Sequence, residues 1–125
     1  MKSAKDYLNE ANEVVPKMTS EEAVTKHTDA DAVFVDVRDS AAIAATGTIA
    51  GALRIPRGFI EFAADPSMEQ LHNPAMQKDA PIYLVCAAGG QAALAGKTLK
   101  DMGYTNVTNI GGIGGWKEAG GATEA

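Results

Sequence analysis

The only cysteine of this chain, Cys86, ends the apolar run IYLVC and begins the glycine-bearing stretch CAAGGQ. A strand, a tight loop and a helix in succession turn several backbone N–H groups toward one centre, which creates an anion-binding nest. A thiol at the first position of such a nest is held in its thiolate form by these donors. We therefore predict that Cys86 is an exposed nucleophile. The backbone N–H groups predicted to form this nest are those of Ala87, Ala88, Gly89 and Gly90.

The alternative interpretation is that Cys86 is a small buried hydrophobic residue, as many isolated cysteines are. A junction between a strand and a glycine loop favours the nucleophile. One cysteine excludes an internal disulfide and a CxxC redox pair, and His27 and His72 are too few and too far apart in sequence for a metal site. Thiol chemistry here would use one sulfur, with its partner arriving from outside and no metal or organic cofactor.

The chain has 125 residues, of which 46% are hydrophobic and 22% charged, the composition of a single globular domain. A formal net charge of -5 without a cluster of Lys and Arg argues against nucleic-acid binding. No apolar run approaches the roughly 20 residues of a membrane span, so no membrane partner is expected. The N-terminal residues lack the apolar core of a secretory signal, which favours a cytoplasmic location.

The elements that must position Cys86 alternate between helices and strands. Helical spacing predicts a helix over residues 3–15, and further helices follow near 20–27 and 90–103, with short ones near 59–64 and 67–71. Apolar runs at 32–35, 82–85 and 106–110 predict strands, with a brief strand at 52–56 and a short extended piece near 15–18, and a further short helix is predicted from residue 38 to about 47. This order predicts an α/β fold with a mainly parallel central sheet of about five strands and helices on both faces. Its functional site should lie at the carboxyl ends of the strands, where Cys86 stands.

Five motifs, in the order TSEEA, VFVDVRD, GTIAGALRIPRG, CAAGG and NVTNIGGIGGWKEAGG, resemble the rhodanese family of sulfurtransferases from about Thr19 to Gly120. We accordingly divide the chain into an N-terminal helical extension, 1–18, and one rhodanese-like domain, 19–125. The resemblance implies that Cys86 accepts a sulfane sulfur from thiosulfate or a persulfide. It would then pass the sulfur to a thiol, cyanide or protein-cysteine acceptor.

The chain departs from the family pattern at the end of the loop, where Gln91 stands in place of the usual arginine. A thiosulfate dianion would lose a charge-assisted hydrogen bond there, whereas a persulfide held by backbone donors would not. Arg57, which follows the IP of a short strand, is the candidate substitute cation, and a solvated surface arginine is its alternative interpretation. Thr48 replaces a usual histidine and is predicted to be structural.

Several other residues are predicted to support the fold. Asp36 and Arg38 should anchor the end of a strand through hydrogen bonds, and Trp116 should pack over the last crossover. His27 is predicted to lie at a helix C-terminus and His72 in a loop.

Three other functions would use some of the same residues. A phosphatase or arsenate reductase would need an arginine at the end of the loop, and Gln91 and Ala92 do not supply one. A hydrolase triad of Cys86, His72 and Asn73 has no other support in the sequence. A non-catalytic module that binds a protein partner through the rim of the loop stays open. The extension either packs on the domain or mediates a homodimer.

Overall fold

A computed structural model describes all residues from 1 to 125. Its central sheet contains the strands β1 Val33–Asp36, β3 Leu53–Arg54, β4 Ile82–Cys86 and β5 Val107–Gly112. Their order in the sheet is β3-β1-β4-β5, and every neighbouring pair is parallel. The predicted α/β fold with a central parallel sheet is confirmed, with four strands in that sheet where about five were expected.

The outer edge of β5 carries a further, very short pairing. Lys17 forms an isolated parallel bridge with Asn109, in which Met18 N donates to Asn109 O at 3.0 Å and Asn109 N donates to Pro16 O at 2.9 Å. Pro16 has no N–H to donate, so it cannot extend this ladder toward the helix before it. The N-terminal segment therefore covers the sheet edge without becoming a strand.

A second, two-stranded antiparallel sheet joins β2 Thr48–Ile49 to β6 Thr123–Glu124. The sequence patterns did not predict this pair, because two-residue strands carry no detectable alternation. It ties the C-terminal end of the chain to the segment that follows β1.

Three of the helices begin at a residue whose side chain caps them. Ser3 and Asp6 form a capping box, Thr19 accepts a hydrogen bond from Glu22 N, and Asp39 accepts one from Ala42 N. The helices are α1 Ala4–Val14, α2 Ser20–Thr25, α3 Ser40–Thr46, α4 Ile60–Ala63, α5 Gly90–Asp101 and α6 Ile113–Glu118, with a 3₁₀ turn at Arg57–Phe59 before α4.

The short helix predicted over residues 67–71 is absent, and that prediction is wrong. Asp65 Oδ1 accepts hydrogen bonds from both Ser67 N and Ser67 Oγ, which closes a local turn in place of a helix. Turns continue through residues 68–76, where Asn73 Oδ1 accepts from Ala75 N.

Helices cover both faces of the central sheet, as predicted. On one face Leu84 and Cys86 share a core cluster with Ala92 and Leu99 of α5 and with Ile60 of α4. On the opposite face the cluster is built from strand and helix side chains that include Phe34, Tyr83, Val85, Ala23 and Trp116. Strand residues alternate between the two clusters because successive side chains point to opposite faces.

The N-terminal extension packs on the outside of α5. Ala11 and Val15 are buried, and a β-carbon added at Gly96 would lie 2.8 Å from Val15 Cγ1. A glycine at this point of α5 lets the end of the extension approach the helix backbone. Of the two roles considered for the extension, packing on the domain is the one seen within a single chain.

None of the helices has the length and apolar character that a membrane span would require.

Candidate active site

Cys86 is the last residue of β4, and its partner on β5 is Gly112. Its Sγ accepts a hydrogen bond from Gly89 N at 2.9 Å, so one loop N–H is directed at the sulfur. The residue is only 1% exposed, and the predicted exposure of the nucleophile is therefore wrong. Strand alternation directs the side chain into the core face beneath α5, while the next two residues, Ala87 and Ala88, are exposed.

Two glycines give the loop its shape. Gly89 has φ +101°, a left-handed conformation that other residues adopt only with strain, and it is the N-cap of α5. A β-carbon at Gly112 would lie 2.2 Å from Ala87 O, so only glycine leaves room for the loop backbone to cross the end of β5. Both glycines therefore determine where the backbone runs around the sulfur.

Asn109 on β5 holds the Cys86 loop through hydrogen bonds. The sequence patterns did not identify this residue. Its Nδ2 donates to Gly89 O at 2.9 Å, and its Oδ1 accepts from Gly111 N at 2.9 Å. The side chain is largely buried. The signal that could have found it is an asparagine within a predicted strand, since a buried amide must find hydrogen-bond partners.

Asp36 and Arg38 lie at the end of β1, the strand next to β4. Arg38 Nη2 donates to Asp36 Oδ2 at 2.7 Å and to Gly47 O at 3.0 Å, and Thr48 Oγ1 donates to Asp36 Oδ2 at 2.7 Å. Both members of the pair are buried. These contacts join the strand end to the segment after α3, which is the anchoring role predicted for the pair and for Thr48.

The electrostatics of this pair extend to the sulfur. The hydrogen bond to Asp36 is the main cause that raises the pKa of Arg38, and the negative charge of an ionised Cys86 raises it further. Burial opposes ionisation of Asp36, but hydrogen bonds from Arg38 and Thr48 outweigh it and leave the pKa of Asp36 below its usual value. Arg38 is therefore a permanent cation within electrostatic range of Cys86.

The structure places Arg57 in the 3₁₀ turn, with its guanidinium directed at neighbouring side chains. Its Nη2 donates to Thr98 Oγ1 at 3.2 Å, and its Nη1 lies 3.4 Å from Glu61 Oε1. It makes no hydrogen bond to the loop, and its buried Nε has no partner. The role predicted for Arg57 in substrate binding stays a prediction. It requires the guanidinium to leave Glu61 and to contact the substrate instead.

Gln91 is exposed in the first turn of α5, and its side chain makes no hydrogen bond within the protein. An amide at this position can meet an incoming molecule without first breaking a contact. It carries no charge with which to neutralise a dianion.

A cleft of about 260 Å³ lies beside the loop, between the extension and α5. Leu8, Asn12 and Lys17 contribute one wall, and Ala88 and Gly89 contribute to the other. The N-terminal extension is thus close to the Cys86 loop as well as to the body of α5.

The remaining residues singled out in the sequence lie away from the sulfur. Trp116 is buried and donates from Nε1 to Ala122 O at 3.0 Å, while the His27 ring packs edge-on against it. His72 Nε2 lies 3.2 Å from Met76 O, and it makes no hydrogen bond to Cys86. No group of three or more His, Cys, Asp or Glu side chains is arranged to hold a metal ion.

Comparison with known proteins identifies a family model, the rhodanese-like domain, that matches residues 19–119. A curated relative, the adenylyltransferase and sulfurtransferase UBA4 of Meyerozyma guilliermondii, is 32% identical over 87 residues. That alignment covers 69% of this chain and 20% of the relative, so the chain spans about a fifth of the relative's length.

Two solved structures are similar over nearly the whole chain. A Rhodopseudomonas palustris protein of unknown function, described as a possible tyrosine phosphatase, has 38% identity and a TM-score of 0.91, covering 99% of this chain and 96% of its own. The polysulfide-sulfur transferase homodimer of Wolinella succinogenes has 25% identity and a TM-score of 0.74, covering 96% of this chain and 85% of its own.

Proposed function

This chain belongs to the rhodanese-like domain family, and from that premise we propose that it is a sulfurtransferase that carries a sulfane sulfur as a persulfide on Cys86. The observation that carries the proposal is the hydrogen bond from Gly89 N to the sulfur of Cys86, at the end of a parallel strand. A backbone donor at this distance stabilises an anionic sulfur more than a neutral thiol.

Sulfur transfer would take place in two half-reactions. The Cys86 thiolate attacks the outer sulfur of the donor, a new S–S bond forms, and the S–S bond of the donor breaks with release of sulfite or of a thiolate. An acceptor nucleophile then attacks the outer sulfur of the persulfide, and the bond to Cys86 breaks to restore the thiolate. The electrons balance between donor and acceptor, so the proposed sequence uses no cofactor.

We propose a persulfide or polysulfide as the preferred donor. The loop offers Gln91 and backbone N–H groups but no cation, and these suit a singly charged persulfide better than the thiosulfate dianion. The Wolinella neighbour is a polysulfide-sulfur transferase, which is consistent with this choice. The proposed acceptors are a thiol, cyanide or a protein cysteine, and with no second cysteine in the chain the persulfide would persist until one arrives.

A homodimer belongs to the same proposal. The Wolinella neighbour is a homodimer, and Tyr7 and Val14 of α1 are exposed apolar side chains seven residues apart, which places them on one helix face. A cytoplasmic location is likewise retained as a prediction.

The burial of Cys86 favours a second candidate function. A thiol that is 1% exposed, in a loop without an arginine, is also consistent with a non-catalytic module that binds a protein partner through the rim of the loop. We do not propose phosphatase activity, because the loop lacks the cation that binds phosphoryl oxygens.

Sulfur loading tests the proposal directly. The protein is incubated with thiosulfate or with cysteine persulfide, and its intact mass is measured. We expect one added sulfur atom, which cyanide or a reductant removes, and no such adduct on Cys86→Ser. If no donor produces an adduct on a correctly folded protein, the catalytic proposal is rejected and the partner-binding module takes its place.

A further inference from the structure

Asn109 stands where the N-terminal segment and the Cys86 loop meet. Its main chain is hydrogen-bonded to Pro16 O and Met18 N, and its side-chain amide is hydrogen-bonded to Gly89 and Gly111. The residue is 4% exposed, so these contacts are made in a largely desolvated environment. A hydrogen bond that is lost there cannot readily be replaced by one to water.

The same glycine that Asn109 holds is the donor to the sulfur. Gly89 N donates to Cys86 Sγ at 2.9 Å, while Gly89 O accepts from Asn109 Nδ2 at 2.9 Å and from Ala93 N at 3.0 Å. Gly89 has no side chain that restricts its backbone, and its φ of +101° is one of many angles open to it. The hydrogen bonds on either side of its α-carbon therefore determine where its N–H points.

We propose that Asn109 is a positioning residue of the sulfur site. Its amide holds Gly89 O, and this keeps the N–H of the same residue directed at the sulfur of Cys86. The Asn109 side chain makes no hydrogen bond to the sulfur, and it acts through Gly89. Because its own main chain is bound by the 16–18 segment, the seating of the N-terminal extension contributes to the geometry of the loop.

This inference deepens the proposed function and rests on it for its relevance to catalysis. Its test measures the reactivity of Cys86 and requires no sulfur transfer. The Cys86 thiolate reacts with iodoacetamide, and intact mass gives the alkylation rate at each pH. The plateau rate at high pH reports how accessible the sulfur is, whereas the midpoint of the profile reports how strongly the thiolate is stabilised. A variant that only makes the sulfur more accessible changes the plateau rate and leaves the midpoint unchanged.

The informative variants are Asn109→Ser and Asn109→Asp. Serine is too short to reach Gly89 O, and aspartate can accept from Gly111 N but cannot donate to Gly89 O. We expect the midpoint of Asn109→Ser to move to higher pH by about a fivefold change in proton concentration for the loss of one hydrogen bond, and that of Asn109→Asp to move further because its carboxylate also repels the thiolate. Asn106→Ser is the matched control, since Asn106 is exposed just before β5 and its side chain makes no hydrogen bond. A folded Asn109→Ser whose midpoint equals that of the control overturns the proposal.

A measurement on the wild-type protein tests the proposal even if neither variant folds. Methylation of Cys86 removes its anionic state, and the NMR signals of the Gly89 N–H and the Asn109 side-chain amide should shift together. The Asn106 side-chain amide should not move. An Asn109 amide that is unaffected, and exchanges with solvent as fast as that of Asn106, overturns the proposal. If Cys86 accepts no sulfur while these responses are present, the proposed function fails and the positioning role stands.

Discussion

Arg38 and Asp36 form a buried ion pair at the end of β1, in which Nη2 lies 2.7 Å from Oδ2 and Nε lies 3.0 Å from Oδ1. The Asp36 carboxylate also accepts from Thr48, and Arg38 also donates to Thr46 and Gly47. The pair thus has partners for most of its polar atoms, which is the condition under which buried charges are tolerated. Its position beside β4 places a fixed positive charge near the Cys86 loop.

Removal of one member of this ion pair should destabilise the folded protein. We predict that Asp36→Asn lowers the free energy of unfolding by about 3–5 kcal/mol, because it leaves the charge of Arg38 buried without its partner. Urea unfolding measures the change. Asp39→Asn is the control, since asparagine caps a helix as well as aspartate does and Asp39 is exposed. Equal stabilities of the two variants would show that Arg38 can find water in place of Asp36.

The same carboxylate should make stability depend on pH in the acid range. The folded-state pKa of Asp36 is lowered, so its contribution is complete above the unfolded value of about 3.9 and is lost as pH falls through the lower, folded-state value. Asp6 and Asp65 shift in the same direction and add their own loss, so the diagnostic quantity is the difference between the wild type and Asp36→Asn. We expect this difference to shrink below about pH 4. A difference that is constant from pH 7 to pH 2 would contradict the prediction.

Gln91 offers a test of donor choice. We predict that Gln91→Arg raises turnover with thiosulfate by about tenfold, the effect of one charged hydrogen bond, and changes turnover with a singly charged persulfide donor far less. Parallel kinetic assays with the two donors measure this ratio. Gln70→Arg, an exposed position outside the loop, adds the same charge elsewhere and should leave the ratio unchanged. Equal gains with both donors would show that the side chain at position 91 does not face the substrate.

Arg57 can serve thiosulfate only if its guanidinium leaves Glu61. That ion pair is only partly buried and contributes less than about 1 kcal/mol, so an incoming dianion can displace it. We predict that Arg57→Ala slows thiosulfate turnover by about fivefold with an unchanged melting temperature, and that Glu61→Gln speeds it. Arg54→Ala on neighbouring β3 is the matched control. An unaffected rate in Arg57→Ala would leave Arg57 the structural task of linking the 3₁₀ turn to Thr98 of α5.

Gly112 should be intolerant of any side chain. A β-carbon there would meet Ala87 O at 2.2 Å, and the loop backbone would have to move away from β5. We predict that Gly112→Ala costs about 1–3 kcal/mol of stability and slows sulfur loading of Cys86 at least tenfold. Thermal unfolding and the mass assay measure the two effects. Gly114→Ala, whose β-carbon would have no atom within 4 Å, should change neither, and a Gly112→Ala variant that loads normally would mean that the loop shifts without harm.

Local patterns in the sequence were enough to predict most elements around the site. The apolar run before Cys86 and the glycines after it are each read from residues a few positions apart. The alternation of strands and helices then implies parallel pairing, because a crossover through a helix returns the chain in the same direction. The fold class and the place of the cysteine loop at the carboxyl edge follow from these local facts.

The tertiary structure alone decided how the loop is held. Gly89 and Asn109 are 20 residues apart in sequence, and the bridge from Lys17 to Asn109 spans a far longer separation. No local sequence pattern therefore predicts either contact. Side-chain direction beneath α5, which buries Cys86, likewise depends on the register of β4 against its neighbours. The sequence by itself therefore determined that a thiol stands at the start of a glycine loop. Only long-range packing decided that it is covered, that one N–H faces it, and that Asn109 keeps that N–H in place.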